Sequence, residues 1–452
     1  MNTLRLSSFG LRGYVGESLT PDAVLDFVSA FAAFVEGGRL LLGCDPRASS
    51  PMLRAATLAS WMSAGGEVVD FGLCPTPILQ FHTPRRAAAG AISISGAHQP
   101  QGWNTLTLIG ADGGPLDPVV GEQVLDIFHA GAFPMSDARG IGEVHDADEF
   151  TNDYFDALAR YADAAAIRAA RFRVIADPAG GAGGPFLEPW ARRFGVELIA
   201  VNGEPTPLPA RDPEPRPRTA RSIASLMRPL AAAAGFVFSS DMGRLSLVTE
   251  RGEPLSEELT FALIADHVLR RRPGPLVTNC CTTRAIDDLA ARHGVPLIKT
   301  PVGQAHIVAA LRDDDSAVLG GEGSGSIVRP DFSLGFDGFL MMTLVLESLA
   351  GGGATLSERV RLLPRYEIVK RSVACPPGEG YRAIERVRAR LGRERPERLD
   401  ETDGLRLDDE DGWVHLRASR TEPRVRVISE SRDRATAEER AERWIRWVEL
   451  ED

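Results

Sequence analysis

The sequence predicts an α/β protein made of three similar α/β units followed by a smaller C-terminal α+β unit. Two observations carry this expectation. Amphipathic helices alternate with short apolar runs, and that rhythm recurs in three successive stretches before the pattern changes near the end. A third observation sets the domain count: 452 residues exceed the size, about 250–300 residues, at which single cores stop growing.

The first helix is marked by Thr20 as cap, Pro21 in its first turn, and Val24, Phe27, Val28, Phe31 and Val35 on one face. Gly37 and Gly38 end it, and Leu40 to Leu42 reads as a buried strand. A helix near Pro51 to Ala64 and a strand near Val68 to Phe71 repeat the alternation. The second unit has a strand at Phe172 to Asp177, a helix at Pro185 to Phe194, a strand at Val196 to Val201 and a long helix from Thr219 to Ala233. Between the last two, the proline-rich stretch Pro205 to Pro217 reads as a loop inside the unit. The third unit runs through Leu276 to Asn279, Ile286 to His293, Leu297 to Lys299 and Ile307 to Arg312. Short strands at Trp413 to Arg417 and Val425 to Ser429, then a charged helix from Ala435 to Val448, form the last unit. The expected boundaries are residues 1–148, 149–251, 252–367 and 368–452.

Hydrophobic content of 44% and charged content of 25% are ordinary for a globular protein. A net charge of −11 argues against general nucleic-acid binding, which needs a basic footprint. No signal peptide is read at the N-terminus. The most apolar helix, Phe339 to Leu349, is interrupted by Glu347 and is too short to span a bilayer. A cytoplasmic protein with local basic pockets is expected. The five cysteines (Cys44, Cys74, Cys280, Cys281, Cys375) form no CxxC pair, so their spacing suggests neither a disulfide framework nor a zinc site.

Four loops follow predicted strands, where open α/β sheets place ligand sites. Ile94-Ser95-Gly96-Ala97-His98-Gln99-Pro100 lies in the first unit, and Phe238-Ser239-Ser240-Asp241-Met242-Gly243-Arg244 in the second. The third unit has Gly321-Glu322-Gly323-Ser324-Gly325-Ser326, and the fourth Arg417-Ala418-Ser419-Arg420-Thr421-Glu422-Pro423 with Arg424 and Arg426. A carboxylate beside a hydroxyl, as in Glu322 and Ser324, can accept from and donate to vicinal sugar hydroxyls. The guanidinium of Arg417 can grip two phosphate oxygens, with Ser419 and Thr421 supplying further hydrogen bonds.

In this order the segments resemble those of the α-D-phosphohexomutases, the phosphoglucomutase/phosphomannomutase family, over essentially the full chain. Supporting matches are Phe9 to Gly13, Gly43 to Arg47, Pro75-Thr76-Pro77, Arg211-Asp212-Pro213-Glu214-Pro215, and Thr300, Val302 and Gly303. The resemblance implies a phosphoserine loop around residue 97, a Mg²⁺ loop at 239–243, a sugar loop at 321–326 with Thr300 and Gly303 beside it, and a phosphate loop including Arg417 and Arg426. Where that family carries its serine nucleophile, this chain has Ala97, which cannot accept a phosphoryl group. His98 and Arg12 are kept, as are Asp241 and Arg244. Ser239 and Gly243 replace two metal carboxylates, Gln99 replaces an asparagine, Thr107 stands where a lysine is expected, and Ser326 where a histidine is usual.

These losses imply weak or absent Mg²⁺ binding. The implied ligand is a hexose phosphate or related phosphosugar, in a protein that has left mutase turnover for a regulatory, partner or repurposed role. A protein partner is then to be sought. The alternative is an active mutase interconverting hexose 1- and 6-phosphates through a displaced nucleophile. Ser95 is the candidate, yet it stands about 6–7 Å along an extended chain from position 97, and in-line transfer suffers from errors of about 1 Å.

Overall fold

The computed structural model describes residues 4–7, 9–376, 378–392, 399–419 and 423–449. Among them, the chain builds four sheets. The first has seven strands, in the spatial order Arg5–Ser7, Gly10–Tyr14, Trp103–Gly110, Gly90–Ile94, Arg39–Cys44, Glu67–Leu73 and Val144–Asp146. Its middle strands Gly90–Ile94, Arg39–Cys44 and Glu67–Leu73 run parallel, as their βα alternation requires. The second sheet (Leu245–Thr249, Ala234–Phe238, Arg173–Asp177, Glu197–Ala200) and the third (Leu297–Thr300, Leu276–Asn279, Leu319–Glu322, Ser326–Val328) repeat one plan. Each has three parallel strands and one antiparallel edge strand. The fourth sheet is antiparallel throughout, in the order Glu367–Ala374, Arg424–Ser431, Gly412–Ala418, Leu405–Asp408, Leu399–Asp400. Three α/β units and a smaller α+β unit are therefore what the chain forms.

Local chemistry explains most element ends. In the helix Pro21–Phe34 the Thr20 hydroxyl accepts from the Ala23 N–H, and Val24, Phe27, Val28 and Phe31 are buried. The long helix expected from Thr219 to Ala233 is a correction: the helix spans Arg221–Met227 only. Pro229 lacks an N–H and so cannot extend the helical hydrogen-bond ladder, and the chain turns, with Ala231 at φ 49°.

The helix Gly338–Ala350 is buried from Gly338 to Leu349 and joins the core shared by the first three units. Its N-cap, Asp337, accepts the Leu340 N–H and, on both oxygens, the Tyr154 hydroxyl at 2.8 and 2.7 Å. Burial pushes the Asp337 carboxyl up to about 6. Trp190 of the second unit donates to Thr343 Oγ1 at 2.9 Å. Glu347, the residue that interrupts the apolar run, accepts the Asp163 N–H at 2.8 Å, pairs with His267 at 2.7 Å and pairs with Arg271. No helix among the described residues is long and apolar enough to cross a membrane.

Glu347 yields a prediction for acid unfolding. Burial by itself would raise its carboxyl, but hydrogen bonds from His267, the Asp163 N–H and Arg271 outweigh that and hold it down at about 2, against an ordinary 4.5. A depressed carboxyl stabilises the fold above its unfolded pKa and loses that contribution as pH falls through the folded one. The contribution is about 3 kcal/mol, and it should vanish between pH 4.5 and about 2. Urea unfolding across that range should give a shallower pH dependence for Glu347→Gln than for the native chain. Equal slopes would deny Glu347 the role.

Candidate active site

All four loops identified in the sequence leave their sheets at strand ends: after Ile94, Phe238, Glu322 and Ala418. The first is pinned from below by a buried ion pair. Arg47 Nε lies 3.4 Å from Asp45 Oδ2, and its guanidinium donates to the carbonyls of Gln99 (2.6 Å), Pro100 (3.0 Å) and Trp103 (2.5 Å). Gly96 is required by this packing, because a Cβ there would meet Arg47 Cζ at 1.7 Å. Asp45 Oδ2 also accepts the Gly96 N–H at 2.8 Å and the Ser95 hydroxyl at 3.2 Å. Ser95 Oγ in turn accepts the Ala97 N–H at 3.0 Å. Ser95 is thus buried as a turn residue.

Ala97 sits at the crest of the loop with a left-handed φ of 48°, and its carbonyl accepts the Ser240 hydroxyl of the second loop at 2.6 Å. His98, beside it, lies among cations. Lost hydration, and then the charges of Arg244, Arg12, Arg216 and Arg426, push its imidazole well below the ordinary range. A neutral imidazole follows at physiological pH. The Gln99 side-chain amide nitrogen, a donor only, lies 2.8 Å from His98 Nε2, so that nitrogen is an acceptor. The same four arginines come from three units: Arg12 from the strand Gly10–Tyr14, Arg216 and Arg244 from the second unit, and Arg426 from the strand Arg424–Ser431. Arg12 is half-buried, and its Nε has no hydrogen-bond partner. Glu214 offsets part of this charge through pairs with Arg216 at 2.5 Å and Arg244 at 3.2 Å.

In the second loop Asp241 stands as one carboxylate. Its Oδ1 accepts the Ser239 hydroxyl at 2.6 Å and the Gly243 N–H at 3.1 Å, while Ser239 Oγ accepts the Arg244 N–H at 3.0 Å. Ser239 is fully buried inside this turn. Its hydroxyl and Asp241 close on each other rather than forming an open oxygen cage.

The third loop lies against the second, for Ser326 Oγ donates to the Gly243 carbonyl at 2.9 Å. Glu322 accepts from Ser324 at 2.5 Å and from Asn279 at 3.0 Å, one on each oxygen. Each oxygen keeps a lone pair for another donor. Gly325, with φ 79°, makes the hairpin turn. Thr300 is buried, and its hydroxyl is directed at the Thr278 and Pro301 carbonyls, 3.3 and 3.0 Å away. Gly303 caps the helix Gln304–Asp313 with φ 134°.

The fourth sheet has two unlike faces. Val414, Leu416, Ala418, Val425 and Val427 point into its own core with Trp444. Trp413, His415 and Arg417 alternate onto the other face, which meets the third unit. Arg417 and Arg426 are direct cross-strand partners, so two guanidinium groups share one face. Arg417 lies 3.5 Å from Asp403 Oδ2, which also accepts the Val302 N–H at 3.0 Å. The Ser419 N–H donates to the Arg424 carbonyl at 2.9 Å, closing the hairpin. Thr421, expected to contact phosphate, lies outside the described residues.

The structure therefore gathers Ala97, His98, Arg12, Asp241, Arg244 and Arg426 around one space, with Glu322 and Ser324 linked to it through Ser326 and Gly243. The sequence reading did not single out Arg216 or Asp403. Arg216 could have been found as the residue directly after the matched Arg211 to Pro215 segment; Asp403 carries no local signal.

Comparison with known proteins bears on the family and the four-domain architecture. The sequence matches the phosphoglucomutase/phosphomannomutase α/β/α domain I at residues 5–135, domain II at 152–252, domain III at 256–366 and the C-terminal domain at 373–446. It is 33% identical to a phosphoglucomutase/phosphomannomutase of Thermococcus kodakarensis, over 98% of each chain. It is 30% identical to a "probable phosphoglucosamine mutase" of Methanopyrus kandleri, covering 96% of this chain and 94% of the other. A crystal structure of a phosphoglucomutase/phosphomannomutase family protein from Burkholderia thailandensis superposes with a TM-score of 0.84 at 23% identity, over 98% of this chain and 96% of that one. Matched in all four domains and along nearly its whole length, the chain belongs to the phosphoglucomutase/phosphomannomutase family of α-D-phosphohexomutases.

Proposed function

We propose that this protein binds a hexose phosphate in the cleft where the four loops meet and does not perform phosphoserine-dependent phosphoryl exchange. The observation that carries the reading is a methyl group, that of Ala97, in the loop whose neighbour His98 feels four arginines. An arginine-rich basin suits phosphate, but a methyl group cannot carry one covalently.

The surrounding groups support the same reading. Ser95 is held between Asp45 and the Ala97 N–H, and Ser240 is engaged with the Ala97 carbonyl. Mg²⁺ wants near-octahedral oxygen ligands and usually carboxylate charge. The second loop offers only Asp241, one of whose oxygens already accepts two hydrogen bonds. Magnesium binding of the family kind does not fit these residues. His98, neutral and with Nε2 accepting, is a ligand-orienting group rather than an acid. A regulatory, partner or repurposed role follows.

The relatives' names favour a second reading, an active mutase with a relocated nucleophile. A ³¹P NMR time course with glucose 1-phosphate or mannose 1-phosphate, Mg²⁺ and a trace of the matching 1,6-bisphosphate separates the two. Shifted or broadened substrate resonances without growth of a 6-phosphate signal are expected. Conversion well above a heat-killed control would establish the second reading. Ala97→Ser alone should not restore full turnover, because the second loop still lacks its carboxylates; full recovery would show that loop to be sufficient as it stands.

Calorimetric titration supplies the companion prediction. Arg426→Ala should weaken binding of the phosphosugar by about 1.5–3 kcal/mol, the usual worth of a hydrogen bond to a charged group. An unchanged affinity would remove the fourth unit from the site. Between pH 6 and 8, by contrast, the affinity should carry no titration step from His98, since its imidazole stays neutral there.

A further inference from the structure

At the seam between the third and fourth units, behind the sugar loop, three soft donors meet. Cys280 and Cys281 follow the strand Leu276–Asn279, and His415 lies on the strand Gly412–Ala418. Cys281 Sγ is 3.0 Å from His415 Nδ1, and Cys280 Sγ is 3.9 Å from His415 Nε2. The three ligand atoms all lie within 4.8 Å of one another, the one such grouping of histidine, cysteine and carboxylate side chains among the described residues. We propose that Cys280, Cys281 and His415 form a binding site for a thiophilic d¹⁰ cation, Zn²⁺ or Cu⁺. This site is separate from the Asp241 loop and does not depend on the phosphosugar reading.

The geometry is close to what such an ion needs. With metal–sulfur and metal–nitrogen bonds of about 2.3 and 2.0 Å, a tetrahedral ion requires donor separations of about 3.5–3.8 Å. The cluster's separations, from 3.0 Å for Cys281 Sγ to Nδ1 up to at most 4.8 Å, bracket that spacing. Thiolate and imidazole ligands select Zn²⁺ and Cu⁺ over Mg²⁺ or Ca²⁺. His415 Nε2 lies 2.6 Å from the Asp403 carbonyl, which can only accept, so Nε2 carries the proton. That leaves the Nδ1 lone pair facing Cys281 Sγ. A second ring nitrogen anchored on a carbonyl is how metal-binding histidines are oriented.

The surroundings accommodate the charge. Arg406, the cross-strand partner of His415, donates to the Cys280 carbonyl at 2.5 Å and stacks over Trp413 at 4.4 Å. Arg417 bears on Cys281 as well. Cys280 and His415 are each 1% exposed, and Cys281 is half-buried, the most accessible of the three. Binding breaks two S–H bonds, forms two metal–sulfur bonds and one metal–nitrogen bond, and releases two protons to solvent. Because Asn279, beside Cys280, holds Glu322, and Asp403 holds the Val302 N–H, the ion would tie the fourth unit to the base of the cleft.

The test uses the full chain, reduced with a phosphine and stripped of metal by a chelator. Titration with Co²⁺, a spectroscopic substitute for Zn²⁺, should give a sulfur-to-cobalt charge-transfer band saturating at one equivalent. Loss of the band on adding Zn²⁺ assigns the site to zinc. A weak cobalt band with Cu⁺ retained against bathocuproine disulfonate assigns it to copper. Cys281→Ser, at a half-buried position, should weaken binding at least about 10-fold, and Cys375→Ser should leave it unchanged. His415→Gln should behave like Cys281→Ser; where that buried substitution impairs folding, Cys281→Ser alone decides. Absence of both the cobalt band and copper retention, or a band indifferent to Cys281→Ser, would overturn the proposal and leave these as ordinary buried thiols.

Discussion

A helix with no polar face has nowhere to go but the interior, and the segment Gly338–Ala350 ties the first three units together for that reason. Its cap, Asp337, is held by Tyr154; its middle, at Thr343, by Trp190; its last turn, at Glu347, by Asp163, His267 and Arg271. These partners lie on three helices, Thr151–Tyr161, Gly184–Phe194 and Glu258–Arg271, and at the cap of a fourth, Ala164–Ala170. Because protein interiors are close-packed, such a peg fixes the angles at which sheets meet. The loops at their strand ends are aimed at one space, where Ser240 donates to the Ala97 carbonyl and Ser326 to the Gly243 carbonyl.

What that space contains is mainly positive. Arg12, Arg216, Arg244 and Arg426 bear on His98, and Arg417 stands opposite Arg426 across two strands. Like charges placed directly opposite destabilise a sheet pair unless something neutralises them. Asp403 serves Arg417, and Glu214 serves Arg216 and Arg244. Arg12 keeps a buried Nε with no hydrogen-bond partner, a cost that a bound anion would offset. The protein thus maintains an electrostatic arrangement suited to phosphate.

Two polar side chains of these loops are already engaged by their neighbours. Ser95 has a hydroxyl in that loop, but it is held between the buried Asp45 carboxylate and the Ala97 N–H as a turn-former. Asp241 keeps its carboxylate, yet Ser239 and Gly243 hydrogen-bond to it as neighbours in a closed turn. Sequence comparison alone records these two residues as a serine and an aspartate near the expected places. Their hydrogen bonds say which work they already do.

Much was legible in the chain. Periodicity gave three α/β units and an α+β unit because burying one face of a helix or strand imposes a regular apolar spacing. The loop motifs pointed to a candidate site because glycines, paired polar groups and arginines are local requirements of backbone approach and phosphate binding. Even the early end of the helix Arg221–Met227 was written locally, in Pro229, although the apolar pattern around it argued for a longer one. What needed the tertiary structure was contact between distant residues. Asp403 gives no sign in sequence that it will meet Val302 and Arg417. Cys280 and Cys281, with no CxxC spacing, gain a third donor only when the strand bearing His415 packs against their loop, 134 residues beyond Cys281. Local spacing encodes backbone conformation and burial; a donor set assembled across a domain seam is encoded only in the packing that brings its members together.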